Sequence, residues 1–139
     1  MQPKRMKHRK WHRVRSLNRT IATSGIHTVY GTHSLKAMEA HYLTDRQIES
    51  ALKDMRRVLG KKGKAWLRIF PHLSRTKKPA EVRMGSGKGD VDHYATMVRV
   101  GKILFEAEAT DPALAKLALR RAAFKLPIAT KIIQHSDEK

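Results

Sequence analysis

The chain has no cysteine, which removes disulfides, thiolate metal sites and cysteine nucleophiles together and leaves its redox compartment open. Aromatic residues make up only 6% of its 139 positions, too few for a large ligand-enclosing core. A hydrophobic fraction of 40% still supports one compact body of ordinary domain size. No apolar run approaches the roughly 18 residues of a membrane span, and the first residues lack the apolar stretch of a secretory signal. A soluble, non-exported protein with no membrane partner is expected. Acidic residues are scarce as well: 12 Asp and Glu stand against 30 Lys and Arg, a net charge of +18.

Such a charge speaks to partners rather than to fold, and the partner it implies is a polyanion. Its distribution says more than its sum. Residues 1–89 carry 22 basic and 5 acidic side chains, a net of +17, whereas residues 90–139 carry 8 and 7, a net of +1. A charge kept only for solubility would be spread evenly, so the asymmetry marks a binding side and a non-binding side. No acid occurs between Met1 and Met38, while Lys4, Arg5, Lys7, Arg9, Lys10, Arg13, Arg15 and Arg19 crowd the start. This stretch repels itself. It is expected to be extended or disordered and to order against a polyanion, where counterion release offsets part of the entropy lost. Trp11 within it can stack on a base or cover an apolar patch. Residues 1–23 are thus expected as a basic extension and residues 24–139 as a single domain.

Hydrophobic periodicity outlines that domain. Gly25 to Met38 reads as a strand with an irregular or bulged exit. Thr44 can cap a helix, with Gln47 reaching back three residues later and Gly60 ending it; Ile48, Ala51, Leu52, Met55, Val58 and Leu59 fall on its inner side. Arg46, Lys53, Arg56 and Arg57 lie mostly on the outer side, where Glu49 can pair with Lys53. Ala65 to Phe70 alternates as a strand and stops at Pro71. Tyr94–Val100 and Ile103–Ala107 flank a Gly101-Lys102 turn and read as an antiparallel hairpin. Asp111 caps a second helix with Pro112 at its first position, running to about Lys125 with Leu114, Leu117 and Phe124 on one broad face. Pro127 ends it, and Ile128 to Ile133 reads as a last strand. The pattern points to an α+β two-layer sandwich, an antiparallel or mixed sheet with two helices.

Residues 71–93 have little apolar content and form a long segment of the kind that is functional or disordered in compact domains. Arg75, Lys77, Lys78, Arg83 and Lys88 make it a basic finger, and Gly85-Ser86-Gly87-Lys88-Gly89 lets its backbone approach another backbone closely. The run is not a P-loop, because Lys88 is followed by Gly89 instead of Ser or Thr, and its glycine spacing misses the dinucleotide fingerprint. What survives is a small-residue loop whose amides and neighbouring cations can lie against phosphates. His8 and His12 have i, i+4 spacing but sit in a cationic tail without a completing ligand set, so no metal or other cofactor is expected. The acids Asp90 and Asp92, and Glu106 and Glu108, read as solvated i, i+2 pairs rather than acid/base machinery. An enzyme is not expected.

Five blocks in order resemble a known family across nearly the whole chain. They are Gln2-Pro3-Lys4-Arg5-Met6-Lys7-His8-Arg9-Lys10, Leu43-Thr44-Asp45-Arg46-Gln47-Ile48-Glu49, Lys64-Ala65-Trp66-Leu67-Arg68-Ile69-Phe70-Pro71, the finger from Lys77 to Gly89, and Lys125-Leu126-Pro127. The family is the large-subunit ribosomal protein L-sixteen family. The resemblance implies a structural constituent of the large ribosomal subunit that binds rRNA, helps position aminoacyl-site tRNA near the peptidyl-transferase centre, and acts late in subunit assembly. Its rRNA-binding residues would be Lys4, Arg5, Lys7, Arg9, Lys10, Arg13, Arg15, Arg56, Arg57, Lys61, Lys62 and Lys64. The tRNA-site loop would comprise Arg75, Lys77, Lys78, Arg83, Met84, Gly85, Gly87 and Lys88. Partners would be large-subunit rRNA, aminoacyl-site tRNA and neighbouring ribosomal proteins, with no homo-oligomer. The segment Asp92-His93-Tyr94-Ala95-Thr96 looks more like mitochondrial relatives, which favours an organellar ribosome over the bacterial cytoplasm. Charge alone also permits a general nucleic-acid-binding or compacting protein.

Overall fold

The computed structural model describes residues 1–14 and 16–135, without the side chain of Arg19; Arg15 and the last four residues of the expected domain lie outside the described residues. Among the described residues, a 3-10 turn (Leu17–Arg19) is followed by seven strands and two α-helices in the order β1 (His33–Ala37), β2 (His41–Thr44), α1 (Asp45–Leu59), β3 (Gly63–Leu67), β4 (Leu73–Lys77), β5 (Asp90–Val98), β6 (Ile103–Ala109), α2 (Pro112–Ala123) and β7 (Thr130–Gln134). They build a four-stranded sheet ordered β3-β6-β1-β7 and a three-stranded sheet ordered β2-β5-β4, antiparallel throughout. The architecture is the expected α+β two-layer sandwich.

The helix ends follow their local chemistry. Thr44 Oγ1 accepts the Gln47 amide while the Gln47 side chain accepts the Thr44 amide, a complete capping box at the start of α1. Gly60 closes α1 with its amide on the Arg56 carbonyl. Asp111 Oδ1 accepts the Ala113 amide 2.9 Å away and caps α2 ahead of Pro112. Ile48, Ala51, Leu52, Met55 and Leu59 of α1 pack with Ala115, Ala118, Leu119 and Ala122 of α2 against Leu35, Phe105 and Ala107 of the large sheet. Three alanines on the buried stripe of α2 let it approach α1 closely.

Four expectations give way here. First, β5 and β6 form no hairpin. A turn is present, with the Lys102 amide on the Arg99 carbonyl, but Gly101 donates to Ala37 and Ile103 to Gly25, so the chain steps from one sheet into the other. Turn residues encode a reversal and not the partner, and each strand's two edges are already taken, β5 by β2 and β4, β6 by β1 and β3. Second, the apolar face of α2 is not the one through Leu114, Leu117 and Phe124. The alanine stripe is buried instead, Leu114 is only partly covered, and Phe124 is 73% exposed. Third, the 71–93 segment is not all loop, because β4 pairs with β5 from Leu73↔Ala95 to Lys77↔Asp90; the finger is a hairpin whose tip is residues 78–89. Fourth, Glu106 does not share a solvated face with Glu108: it is 0% exposed.

Candidate nucleic-acid interface

Beyond the last β4–β5 pair the finger has no core of its own. Met84 is 97% exposed, Arg83 and Lys88 are exposed, and Gly85, Ser86 and Gly87 take positive φ in succession at 109°, 52° and 87°. Two of these three positions are glycine, which carries no Cβ penalty there. Lys78 Nζ donates back to the Gly85 carbonyl and holds the tip in shape.

The N-terminal tail has neither helix nor strand through Val14, as its self-repulsion requires, yet it lies on the body rather than apart from it. The Met1 amine pairs with Glu49, which takes that carboxylate from the expected partner Lys53. Ser74 Oγ of β4 donates to the Arg9 carbonyl at 2.6 Å. Tail and finger then exchange lysines: Lys10 Nζ donates to the Lys88 carbonyl at 2.8 Å and stands 3.7 Å from Asp90, while Lys88 Nζ donates to the Trp11 carbonyl. Exposed contacts of this kind are each worth no more than about 1 kcal/mol. They register the two cationic segments side by side and leave Lys4, Arg5, Lys7 and Arg9 facing solvent.

A little further along, Arg13 and Arg75 both place guanidinium carbons over the Tyr42 ring, 5.9 and 4.5 Å from its centroid. Tyr42 itself is pinned by Val14, whose amide donates to the phenol oxygen at 3.0 Å and whose carbonyl accepts from it at 3.3 Å. Next to this stack Asp92 accepts from His93 Nδ1 at 2.7 Å. That hydrogen bond, aided by the positive charges of His93, Lys77 and Arg46, holds the Asp92 carboxyl below its ordinary value despite some desolvation.

The expected residues therefore divide. Lys4 to Arg13, Arg75, Lys77, Lys78, Arg83, Met84, Gly85, Gly87 and Lys88 come together as tail and finger. Arg56 and Arg57 lie in the last turn of α1 and Lys61, Lys62 and Lys64 just beyond it, about 22 Å along the helix axis from its cap. There Lys61, Lys62 and Lys64 line an open cleft of about 470 Å³ with Glu108 and Thr110, and Arg57 is paired with Asp54 at 3.0 Å. Tyr42, His41, Asp92 and His93 were not expected in the interface. The only sequence signal for Tyr42 was an aromatic just ahead of a helix cap, which is also what an edge strand looks like.

On the opposite side of the large sheet, Glu106 accepts the amides of Val29, Tyr30 and Gly31 at 3.2, 2.6 and 3.0 Å and pairs with Arg68. Tyr30 stacks on Trp66 with centroids 6.2 Å apart, and Arg68 lies 5.2 Å from the Tyr30 centroid. This network clamps the irregular 28–31 segment across strands β1, β6 and β3.

An α+β body carrying a cationic tail and finger is the build of a structural protein with a docking face. The family described as ribosomal protein L16p/L10e matches residues 3–133. A large ribosomal subunit protein uL16 from Thermosipho africanus (strain TCF52B) is 46% identical over 137 residues, covering 99% of this chain and 95% of its own. Proteins of the same name from Acholeplasma laidlawii (strain PG-8A) and Gluconobacter oxydans (strain 621H) are 45% identical over 138 residues and 46% over 134; the first alignment covers 99% of each chain, the second 96% of each. The chain belongs to the L16p/L10e family of ribosomal proteins, and it is not an enzyme.

Proposed function

We propose that the chain is a structural constituent of the large ribosomal subunit that binds rRNA through its tail and its lysine-rich far cleft, presents the finger to aminoacyl-site tRNA near the peptidyl-transferase centre, and enters the subunit late in assembly. The relatives' shared name supports the subunit. The observation that carries the finer reading is the tail–finger register, Lys10 on the Lys88 carbonyl and Lys88 on the Trp11 carbonyl. It sets the cationic tail beside the cationic finger, whose tip is exposed. Phosphate contacts from such a surface set position and affinity, and chemistry is left to the RNA. The matched relatives are bacterial, so the organellar setting drawn from residues 92–96 has no support in them, and a ribosome of the bacterial cytoplasm fits better.

Gradient co-sedimentation with the large subunit tests this reading. The full chain should co-sediment and should prefer a large-subunit rRNA fragment over duplex DNA at physiological salt; no preference would indicate a general nucleic-acid binder instead. Arg83→Ala should enter subunits normally and impair tRNA accommodation, whereas removing residues 1–13 should impair assembly. Equal assembly defects from both would sink the division of labour.

A further inference from the structure

The small sheet carries a concavity that a phosphate-binding role does not explain. It encloses about 330 Å³ and is lined by Arg13, His41, Tyr42, Arg75, Lys77 and His93, with Asp92 at its edge. Strand register makes it. Arg75 faces His93 across the β4–β5 ladder and Tyr42 faces Met97 across β2–β5; His93, Ala95 and Met97 alternate onto one side of β5. Tyr42 is fixed at both ends, by its strand and by the two hydrogen bonds of its phenol to Val14. The two arginines over its ring are thus held as planar surfaces rather than free cations.

We propose that this cleft binds one unstacked nucleotide of a single-stranded RNA segment, its base lying on the Arg13–Tyr42–Arg75 stack and its phosphate meeting Lys77. This rests on the rRNA-binding reading and specifies what that surface reads. Three features select a base over phosphate alone. The volume lies at the low end of small-ligand sites, about 300–1,000 Å³, and is too small for a duplex. The lining is rich in flat π-groups, an aromatic ring, two imidazoles and two guanidiniums, which offer stacking to any base drawn out of a helix. And it includes a carboxylate: Asp92, tied to His93, repels phosphate but accepts from the amino or imino edge of a base. A duplex buries its base faces and cannot use these groups.

The test is fluorescence anisotropy of the full chain with labelled tetra-adenylate, against an abasic ribose-phosphate chain of the same length and charge. The base-bearing strand should bind roughly 5- to 150-fold more tightly, the range a single stacked base supplies. Tyr42→Leu should erase that preference, whatever it does to the affinity for the abasic strand. Tyr42→Phe, which keeps the ring, should retain it, and Arg75→Lys, which keeps the charge but not the plane, should reduce it. Trp11→Leu should leave it intact. Equal affinity for the two strands in wild type overturns the proposal, as does a preference that survives Tyr42→Leu or disappears with Trp11→Leu. Binding to the rRNA fragment run alongside separates the two levels: a chain that prefers rRNA over duplex DNA but ignores bases refutes the cleft alone.

Discussion

Arg68 donates to Glu106 at the centre of the large sheet, one partner in the last stretch of chain leaving β3 and the other wholly buried on β6. A buried carboxylate survives only when its lone pairs are used, and here three main-chain amides from residues 29–31 use the rest. Removing one side of such an arrangement leaves the other uncompensated. Glu106→Ala should therefore cost about 3–5 kcal/mol in urea denaturation. Arg68→Met should cost less, because the amides still hold the carboxylate.

The finger's glycines should behave differently from one another. A Cβ on Gly89 would meet the Lys77 carbonyl oxygen at 2.7 Å, whereas one on Gly85 would meet nothing within 4 Å. Gly89→Ala should force β4 and β5 apart at the root and speed amide hydrogen exchange at Asp90 to Asp92. Gly85→Ala, at φ 109°, should strain only the tip by about 1–3 kcal/mol and leave exchange in the strands unchanged.

Removing residues 1–13 deletes six Lys and Arg. If all six contact phosphate, the slope of log affinity for rRNA against log salt should fall by about 4 to 5. Titration from low to physiological salt measures it; a slope unchanged by the truncation would leave the tail without phosphate contacts.

Asp92 sets a pH signature. Its carboxyl is held below the model-compound value of 3.8 chiefly by the hydrogen bond to His93, so the native state favours the ionised form. The associated stability is present above the unfolded value and is lost as pH falls through the lower folded one. Carbon-detected NMR titration should give a midpoint below 3.8 in the wild type and a rise toward that value in His93→Ala.

How much of this was legible depended on whether the signal was local. Both helix starts were, because a capping box and an Asp-Pro start are written within four residues. The finger's chemistry was legible too, since glycines and lysines declare themselves. Pairing was not: Gly101-Lys102 encodes a reversal, and nothing nearby states that β5 and β6 belong to different sheets. β4 was hidden because Leu73-Ser74-Arg75-Thr76-Lys77 lies at the edge of a sheet partly covered by the tail, and it needs only one apolar residue. The burial of Glu106 was invisible for a similar reason, since its partners are main-chain amides some 75 residues away and an arginine that reads as surface. The nucleotide-sized cleft draws on β2, β4, β5 and the tail, so no window of sequence contains it.

The strand β1 lies between β6 and β7, pairing with residues 103–107 on one edge and 130–134 on the other. During synthesis, then, residues 33–37 emerge long before either neighbour exists, and the large sheet cannot close until residues 130–134 have been made. The cationic tail emerges ahead of the body, and the body sets after it. A polyanion encountered in that interval meets the tail before there is a folded domain to hold it in register with the finger.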